Sequence, residues 1–325
     1  MPRVSAVELP RMHDQLLFDG AEAGRKLSAF WVLLTLAAVI ASAGIVADST
    51  ATVIGAMIVA PLMTPIVGTV FSVMSGDRAN LFRSLGLVAG GALAVIGIAW
   101  LFGKIIPVPI VAQTNSQVAG RVHPDLVDLV AALATGAVGS FAVIRADVSN
   151  TLPGVAIAIS LVPPLCVVGL TFESGAHGQA VGALLLFLTN VGAILLSGLV
   201  VMALYRVFEV ATVETPRVHR RLATAVVALF VVGLVVPLAV SSAKITRDTL
   251  DRERVAPVAA RWAAAAGWHL VSVTSSEAGV DVRVSGGFPE PKPGQLRKAL
   301  VEAGLRKVRV VLELVPSERV PLDGP

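Results

Sequence analysis

The sequence contains few of the residues from which catalytic centres, disulfides and metal clusters are built. Its 325 residues include one cysteine, one tyrosine and five histidines, and only 15% are charged. The single cysteine, Cys166, rules out an intrachain disulfide and a cysteine-based metal cluster. The sequence has neither a nucleophile elbow nor a phosphate-binding loop. We therefore expect no enzymatic activity, no cofactor and no metal site.

Charged residues are almost absent from two long stretches. Residues 27–76 contain one, Asp48, and residues 148–205 contain one, Glu173. The mean hydropathy is +0.80, and apolar runs of about 18 or more residues predict transmembrane helices. Seven spans are predicted, at 27–47, 50–74, 85–102, 126–144, 151–172, 180–204 and 222–240.

The basic pI of 9.6 does not indicate a nucleic-acid partner, because no nucleic-acid module accompanies it. Lysine and arginine instead concentrate in the short loops on one side of the predicted membrane. An excess of these residues in short loops identifies the cytoplasmic face. They are Arg3, Arg11, Arg25, Lys26, Arg78, Arg83, Arg145, Arg206, Arg217, Arg220 and Arg221. The protein is therefore predicted to lie in the inner membrane with its N-terminus in the cytoplasm. Seven spans would then place the C-terminal segment outside.

One membrane segment occurs twice, at an interval of 99 residues. The pattern D-x3-T-x2-G-x9-P comprises Asp48, Thr52, Gly55 and Pro65 in the first copy, and Asp147, Thr151, Gly154 and Pro164 in the second. Each copy belongs to a repeat of three spans, at 27–102 and 126–205, so the two repeats have opposite orientations. Inverted repeats with prolines inside corresponding spans are typical of a transporter core.

The prolines inside the second and fifth spans are Pro61, Pro65, Pro163 and Pro164. Proline donates no amide hydrogen and clashes with the carbonyl four residues back. The carbonyls of Met57, Pro61, Ile159 and Ser160 therefore need other partners within the membrane. We predict that the four prolines, with the hydroxyls of Thr64 and Ser160, form a substrate-binding site where the two spans cross. The alternative is that they only kink the helices.

Asp48 and Asp147 precede these spans, followed by Thr52 and Thr151. A carboxylate just before a helix can cap its free amides and faces the positive end of its dipole. Plain capping and a gating role at two entrances are both consistent with this placement. An aspartic protease dyad is not expected, because the repeat separates the two carboxylates by about 30 Å of hydrocarbon.

Two further polar residues fall within predicted spans. Asn190 is central in the sixth, where polar side chains are costly and point to function. It either forms a helix–helix hydrogen bond or lines the substrate path. Asp128 lies near the start of the fourth span and is expected to reach the interface.

The remaining segments are a polar N-terminal lead at the interface (1–26), an extracytoplasmic loop (103–125), and a connecting loop with the seventh span (206–242). Residues 243–325 predict a small α/β domain in the order helix, strand, strand, helix, strand. These elements are predicted at 250–266, 268–274, 279–285, 293–303 and 307–315.

Three stretches resemble the bacterial and archaeal family of hydrophobic membrane proteins called domain of unknown function 389. They begin at Ile54 (IGAMIVAPLMTPI), Pro124 (PDLVDLVAALATG) and Asp147 (DVSNTLPGVAIAISLVPPL). The resemblance covers roughly residues 30–205 and implies an integral inner-membrane protein without a settled activity. Some members of that family carry a small α/β domain before the membrane region, whereas here the candidate domain follows it.

The sequence thus predicts a mainly α-helical polytopic membrane protein with a 3+3 inverted repeat, one extra span and a C-terminal α/β domain. The leading functional hypothesis is a secondary transporter or channel for a small solute or ion. The alternative is a non-transporting scaffold or sensor that anchors a ligand- or partner-binding α/β domain. The expected partners are the lipid bilayer, the solute or ion and further copies of the chain in a homo-oligomer.

Overall fold

A computed structural model describes residues 8–106, 108–122, 124, 126–145, 161–207, 250–276 and 279–317. The chain divides into two compact units, Met1–Ala239 and Val240–Pro325. The predicted seventh span lies outside the described residues, as do Asp147, Thr151, Gly154, Ile159 and Ser160.

The first unit is a helical bundle. Its described helices are α1 (Glu8–Leu16), α2 (Ala23–Val46), α3 (Thr50–Val59), α4 (Met63–Ser75), α5 (Arg78–Ile105), α6 (Ser116–Ala119), α7 (Leu126–Ile144), α8 (Val162–Glu173) and α9 (His177–Leu204). Four of them, α2, α5, α7 and α9, are long and apolar enough to cross a membrane. The pair α3 and α4 adds a fifth if it is counted as one span, with a bend of 43°.

Helices α5 and α9 occupy equivalent places in this bundle. Each packs against both α4 and α8, while α2 packs against α5 and α7 packs against α9. The interior is apolar, with Leu62, Ile66, Leu165 and Ile194 almost completely buried. Large apolar side chains are also exposed on every long helix, including Leu36, Leu93, Val130 and Val200. An apolar exterior around an apolar interior indicates a membrane location.

In the described part of the N-terminal lead, residues 8–16 form α1, and the apolar face of this helix is buried against the bundle. Met12, Leu16 and Leu17 are buried, and α1 contacts α4 and α7. A β-carbon at Gly68 of α4 would lie 2.8 Å from the carbonyl oxygen of Leu16. Glycine at this position therefore lets the end of α1 approach the α4 backbone.

The second unit has the predicted order of elements. Residues 250–265 form α10, followed by β1 (His269–Ser276), β2 (Gly279–Gly286), α11 (Pro293–Glu302) and β3 (Val310–Pro316). The sheet order is β1-β2-β3, with β1 and β2 antiparallel and β2 and β3 parallel. Helix α11 makes the crossover that parallel strands require.

The core of the second unit lies between its helices and one face of the sheet. Val280, Val282 and Val284 alternate inward on β2 and join Trp268 and Leu296. β3 begins three residues later than predicted, because residues 305–308 form a turn in which Val308 N donates to the Leu305 carbonyl. The preceding bond, from Leu305 N to the Leu300 carbonyl, ends α11.

Candidate functional site

The proline pairs mark a break in one span and the start of a helix in the other. α3 ends at Val59 and α4 begins at Met63, with half-buried Pro61 between them. α8 begins at Val162, so Pro163 and Pro164 lie in its first turn. Amides of the first turn have no acceptor within the helix, so proline costs no helical hydrogen bond there. Pro65 is the third residue of α4, as Pro164 is of α8, and both are buried.

The carbonyls released at the break have found backbone partners. Ala60 N donates to the Met57 carbonyl at 3.3 Å, and Thr64 N donates to the Pro61 carbonyl, also at 3.3 Å. These carbonyls have lost the α-helical hydrogen bond from the residue four positions later, as predicted. They accept instead from the amide three positions later, the 3₁₀ pattern found at many helix ends. Each carbonyl keeps a second lone pair. The side chain of Thr64 is half-buried beside them.

The break between α3 and α4 packs on α2 and α5. Leu62 is fully buried, and a β-carbon at Gly91 of α5 would lie 3.0 Å from Leu62 Cδ2 and 3.1 Å from Leu34 Cδ2 of α2. Glycine at position 91 therefore makes room for the break. The residue 99 positions later is Asn190, which is 2% exposed on α9.

The ends of α4 and α8 have the same backbone structure at the same 99-residue offset. Gly76 and Gly175 both have a φ of 76°, the left-handed conformation that favours glycine. Equivalent bonds surround them: Ser75 Oγ to the Phe71 carbonyl (3.0 Å) and Ser174 Oγ to Leu170 (2.9 Å), Asp77 N to Ser72 (2.9 Å) and Ala176 N to Thr171 (2.9 Å). The next helices begin at matching positions, Arg78 and His177.

Asp48 does not cap the helix that follows it. Ser49 caps α3, with its hydroxyl accepting from Thr52 N at 3.4 Å and lying 2.9 Å from Thr52 Oγ1. The Asp48 carboxylate instead accepts from Ser116 Oγ at 2.8 Å and Gln117 N at 3.0 Å. Both bonds, that of Ser116 foremost, hold the pKa of Asp48 below its usual range.

Residues 108–122, which we call the strap, connect the corner between α2 and α3 to the corner between α8 and α9. Near its start, Ile110 N donates to Ser174 Oγ and Ala112 N to Gln179 Oε1, each at 2.9 Å. Further along, Asn115 Nδ2 donates to the Ile45 carbonyl at 2.7 Å. Gln117 Nε2 donates to Thr50 Oγ1 at 2.8 Å. The strap therefore holds the α2–α3 corner and the α8–α9 corner together.

Residues 8–19, which we call the N-terminal segment, make comparable bonds. Arg11 Nη2 donates to the carbonyls of Val143 and Ile144 at the end of α7, at 2.9 and 3.3 Å. Ile144 stands 99 positions after Ile45, the residue that Asn115 contacts at the end of α2. Arg83 Nη1 also donates to the Phe18 carbonyl at 3.2 Å.

Arg121 brings a positive charge to the end of the strap. Its Nη1 donates to the backbone carbonyl and the side-chain Oε1 of Gln117, at 2.7 and 3.1 Å. Burial lowers the pKa of Arg121, an effect that the charge of Asp128 opposes. Val118 and Val122, on either side of Arg121, belong to the same buried apolar cluster as Cys166, whose Sγ lies 3.7 Å from the Ala38 carbonyl oxygen. The strap thus ends close to the bundle interior.

The strap residues escaped the sequence prediction, which treated 103–125 as a loop. The available signal was the uncharged polar run Gln113-Thr114-Asn115-Ser116-Gln117 in a strongly apolar region. Buried amide side chains need hydrogen-bond partners, so this run indicates docking against backbone. Which backbone it meets depends on contacts more than 65 positions away in sequence, such as Asn115 with Ile45.

These long apolar helices and the bent pair define a helical protein of the polytopic membrane class. Residues 57–196 match the model of the family described as "Domain of unknown function (DUF389)". The predicted resemblance is therefore confirmed for this part of the chain.

An uncharacterized protein of Methanocaldococcus jannaschii is 33% identical over 174 residues, which are 54% of this chain and 53% of that protein. The chain thus spans about half the length of this curated relative. No solved structure matches the present chain.

Proposed function

We propose that this protein is a secondary transporter or channel for a small solute or ion, built as a 3+3 inverted repeat. The observation that carries the proposal is the agreement between two segments 99 residues apart. The caps of α4 and α8 match bond by bond. α5 and α9 also begin and end at matching residues. Repeats of odd span number are the architecture in which a central site can open to either side.

The two repeats also exchange contacts. The N-terminal segment precedes the first repeat and bonds the Ile144 carbonyl of the second. The strap precedes the second repeat and bonds the Ile45 carbonyl of the first. A pair of equivalent braces, one for each end of the bundle, suits a path closed at both ends. Asp48 and Thr52 would lie at one entrance, with Asp147 and Thr151 at the other.

The proposed site is formed by backbone and hydroxyl groups near the breaks. Pro61, Thr64 and Pro65 contribute from the first repeat, and Ser160, Pro163 and Pro164 from the second. Asn190 is the counterpart of Gly91, the residue that faces the break in the first repeat. We propose that its amide occupies the corresponding place beside the proline-containing start of α8 and lines the path. Polar groups without a deep carboxylate suit a weakly charged solute, an anion or a monovalent ion.

The test is flux through purified protein in proteoliposomes, with a panel of monovalent ions, small anions and weakly charged solutes. Asn190→Leu removes the polar group while keeping the number and branching of the side-chain heavy atoms, and it should reduce the flux of any transported species. Gly55→Ala on the exposed side of α3 is the matched control and should not. A panel on which the protein moves nothing would contradict the proposal. If the second unit still bound a ligand, the membrane-anchored sensor would stand in its place.

A further inference from the structure

We propose that the second unit contains a binding site for a neutral saccharide, in a cleft at one end of its sheet. The cleft has a volume of about 940 Å³, within the range of about 300–1,000 Å³ typical of small-molecule sites. It lies where β1 begins, at His269, and where β2 and β3 end, at Gly286 and Pro316. This site is separate from the proposed solute path and does not depend on transport.

Two adjacent glycines shape the floor of the cleft, for different reasons. A β-carbon at Gly286 would lie 2.5 Å from Cγ of Trp268, a ring that is 1% exposed and donates Nε1–H to the Pro289 carbonyl. Gly286 is therefore required by packing. A β-carbon at Gly287 would meet no atom within 4 Å. Gly287 leaves open space in the cleft that the fold itself does not need.

Phe288 forms an apolar platform beside this space. Its side chain is 78% exposed, although both tryptophans of the unit, Trp262 and Trp268, are buried in its core. An exposed aromatic ring on the rim of a cleft offers a flat apolar face at low entropic cost. The C–H face of a pyranose ring is flat and apolar and stacks on such a surface.

The lining of the cleft also offers hydroxyl groups and an imidazole. Ser285 Oγ donates to Ser317 Oγ at 2.8 Å, which leaves the Ser317 hydroxyl proton and acceptor lone pairs on both oxygens available. His269 is exposed at the start of β1 and adds a ring nitrogen. Among the described residues that line the cleft, none is Lys, Arg, Asp or Glu. The described lining therefore offers no ion pair to a charged ligand, whereas a ring with one apolar face and several hydroxyls matches both its aromatic and its polar groups.

Saturation-transfer NMR on the full-length protein tests this assignment. The probes are cellobiose, maltose and N,N′-diacetylchitobiose, each at roughly 10 mM, so that dissociation constants in the millimolar range are detected. The protein is kept in nanodiscs, because detergents with sugar headgroups would compete for the cleft. We expect at least one disaccharide to bind, with saturation strongest on the C–H groups of one ring face.

Three variants locate the binding. Phe288→Ala should weaken it about tenfold, a loss typical of a central aromatic contact. Gly287→Trp should abolish it by filling open space without disturbing the core, which an unchanged melting temperature would verify. Phe82→Ala, which removes a 67% exposed phenylalanine of the first unit, should leave binding unchanged. Silence from all three disaccharides, or equal binding by the Phe288 and Gly287 variants and the parent, would overturn the proposal.

Discussion

Asp48 holds a distant segment of the chain through a single carboxylate oxygen. Its φ of 50° is left-handed, a conformation that aspartate and asparagine tolerate better than other residues with a β-carbon. This turn directs the carboxylate away from α3 and toward Ser116 and Gln117. The substitution that isolates the charge is therefore Asp48→Asn, which keeps the size and the backbone preference.

We expect Asp48→Asn to destabilise the protein at neutral pH and not at acid pH. The pKa of Asp48 is lowered in the folded protein, so its contribution is full above the unfolded value of about 3.9. That contribution is lost as the pH falls through the folded pKa. Thermal unfolding in one detergent between neutral and acid pH measures the effect, with Glu302→Gln on the second unit as a control. A gap between Asp48→Asn and the parent that stays constant as the pH falls from neutral to well below the unfolded pKa would contradict it.

Gly169 and Gly55 separate two reasons for glycine in a membrane helix. A β-carbon at Gly169 would meet the Ile96 carbonyl and lie 2.7 Å from Ala99 Cβ on α5, whereas one at Gly55 meets no atom within 4 Å. Gly169→Ala should therefore destabilise by about 1–3 kcal/mol through overpacking. Gly55→Ala should stabilise by about 0.5–1 kcal/mol through helix propensity. Melting temperatures of the two variants, which differ from the parent by the same methyl group, should move in opposite directions.

At the scale of helices and strands, the sequence predicts interiors better than ends. The third span is predicted at 85–102, whereas α5 runs from Arg78 to Ile105. Hydropathy marks where a helix enters hydrocarbon, but the helix itself begins at its cap, where Asp77 accepts from Asn80 N. Where a residue type marks the boundary, the prediction is accurate: Pro293 marks the start of α11, and the predicted and observed starts coincide there.

The candidate site divides in the same way. Pro61 and Pro65 are visible as breakers because proline acts locally on its own helix, and α3 and α4 do separate around Pro61. The attachment of the strap was not predictable, because Asn115, Ser116 and Gln117 act on residues in a different helix pair. Burial depends on such long-range contacts and not on the local pattern.

The attachment of the strap should control how fast reagents reach Cys166, the one cysteine of the chain. Val118 and Val122 of the strap pack in the same buried apolar cluster as Cys166, which is fully buried. Asn115→Ala removes the bond to the Ile45 carbonyl and the bond that Asn115 Oδ1 accepts from Val118 N. The loss of these two buried hydrogen bonds should favour local opening of the strap. We expect maleimide to modify Cys166 about tenfold faster in this variant, which corresponds to about 1.4 kcal/mol.

The neighbouring residue supplies the control for this measurement. Thr114 is exposed and bonds only within the strap, to the Val111 carbonyl at 3.4 Å, among the hydrogen bonds of the described chain. Thr114→Ala should therefore leave the modification rate of Cys166 close to that of the parent. Equal rates in the Asn115 and Thr114 variants would show that the strap does not control access to the interior.

At the scale of the whole molecule, the two units follow different rules of burial. In the first unit, apolar side chains are found inside and outside alike, as a bilayer solvent permits. In the second, β2 alternates between buried valines and exposed or half-buried polar residues such as Arg283, as water requires. The second unit therefore belongs in an aqueous compartment, and the number of spans before it decides which one.

Cysteine labelling in a Cys166→Ala background tests the proposed topology. Gln113, Ala79 and Lys298 are exposed and report on the strap, the α4–α5 turn and the second unit. The distribution of basic residues leads us to expect that an impermeant maleimide applied to intact spheroplasts will modify Gln113→Cys and Lys298→Cys but not Ala79→Cys. Inside-out vesicles should give the reverse pattern. Modification of Lys298→Cys from the cytoplasmic face alone would refute seven spans, whereas exchange of Gln113→Cys and Ala79→Cys would invert the whole molecule.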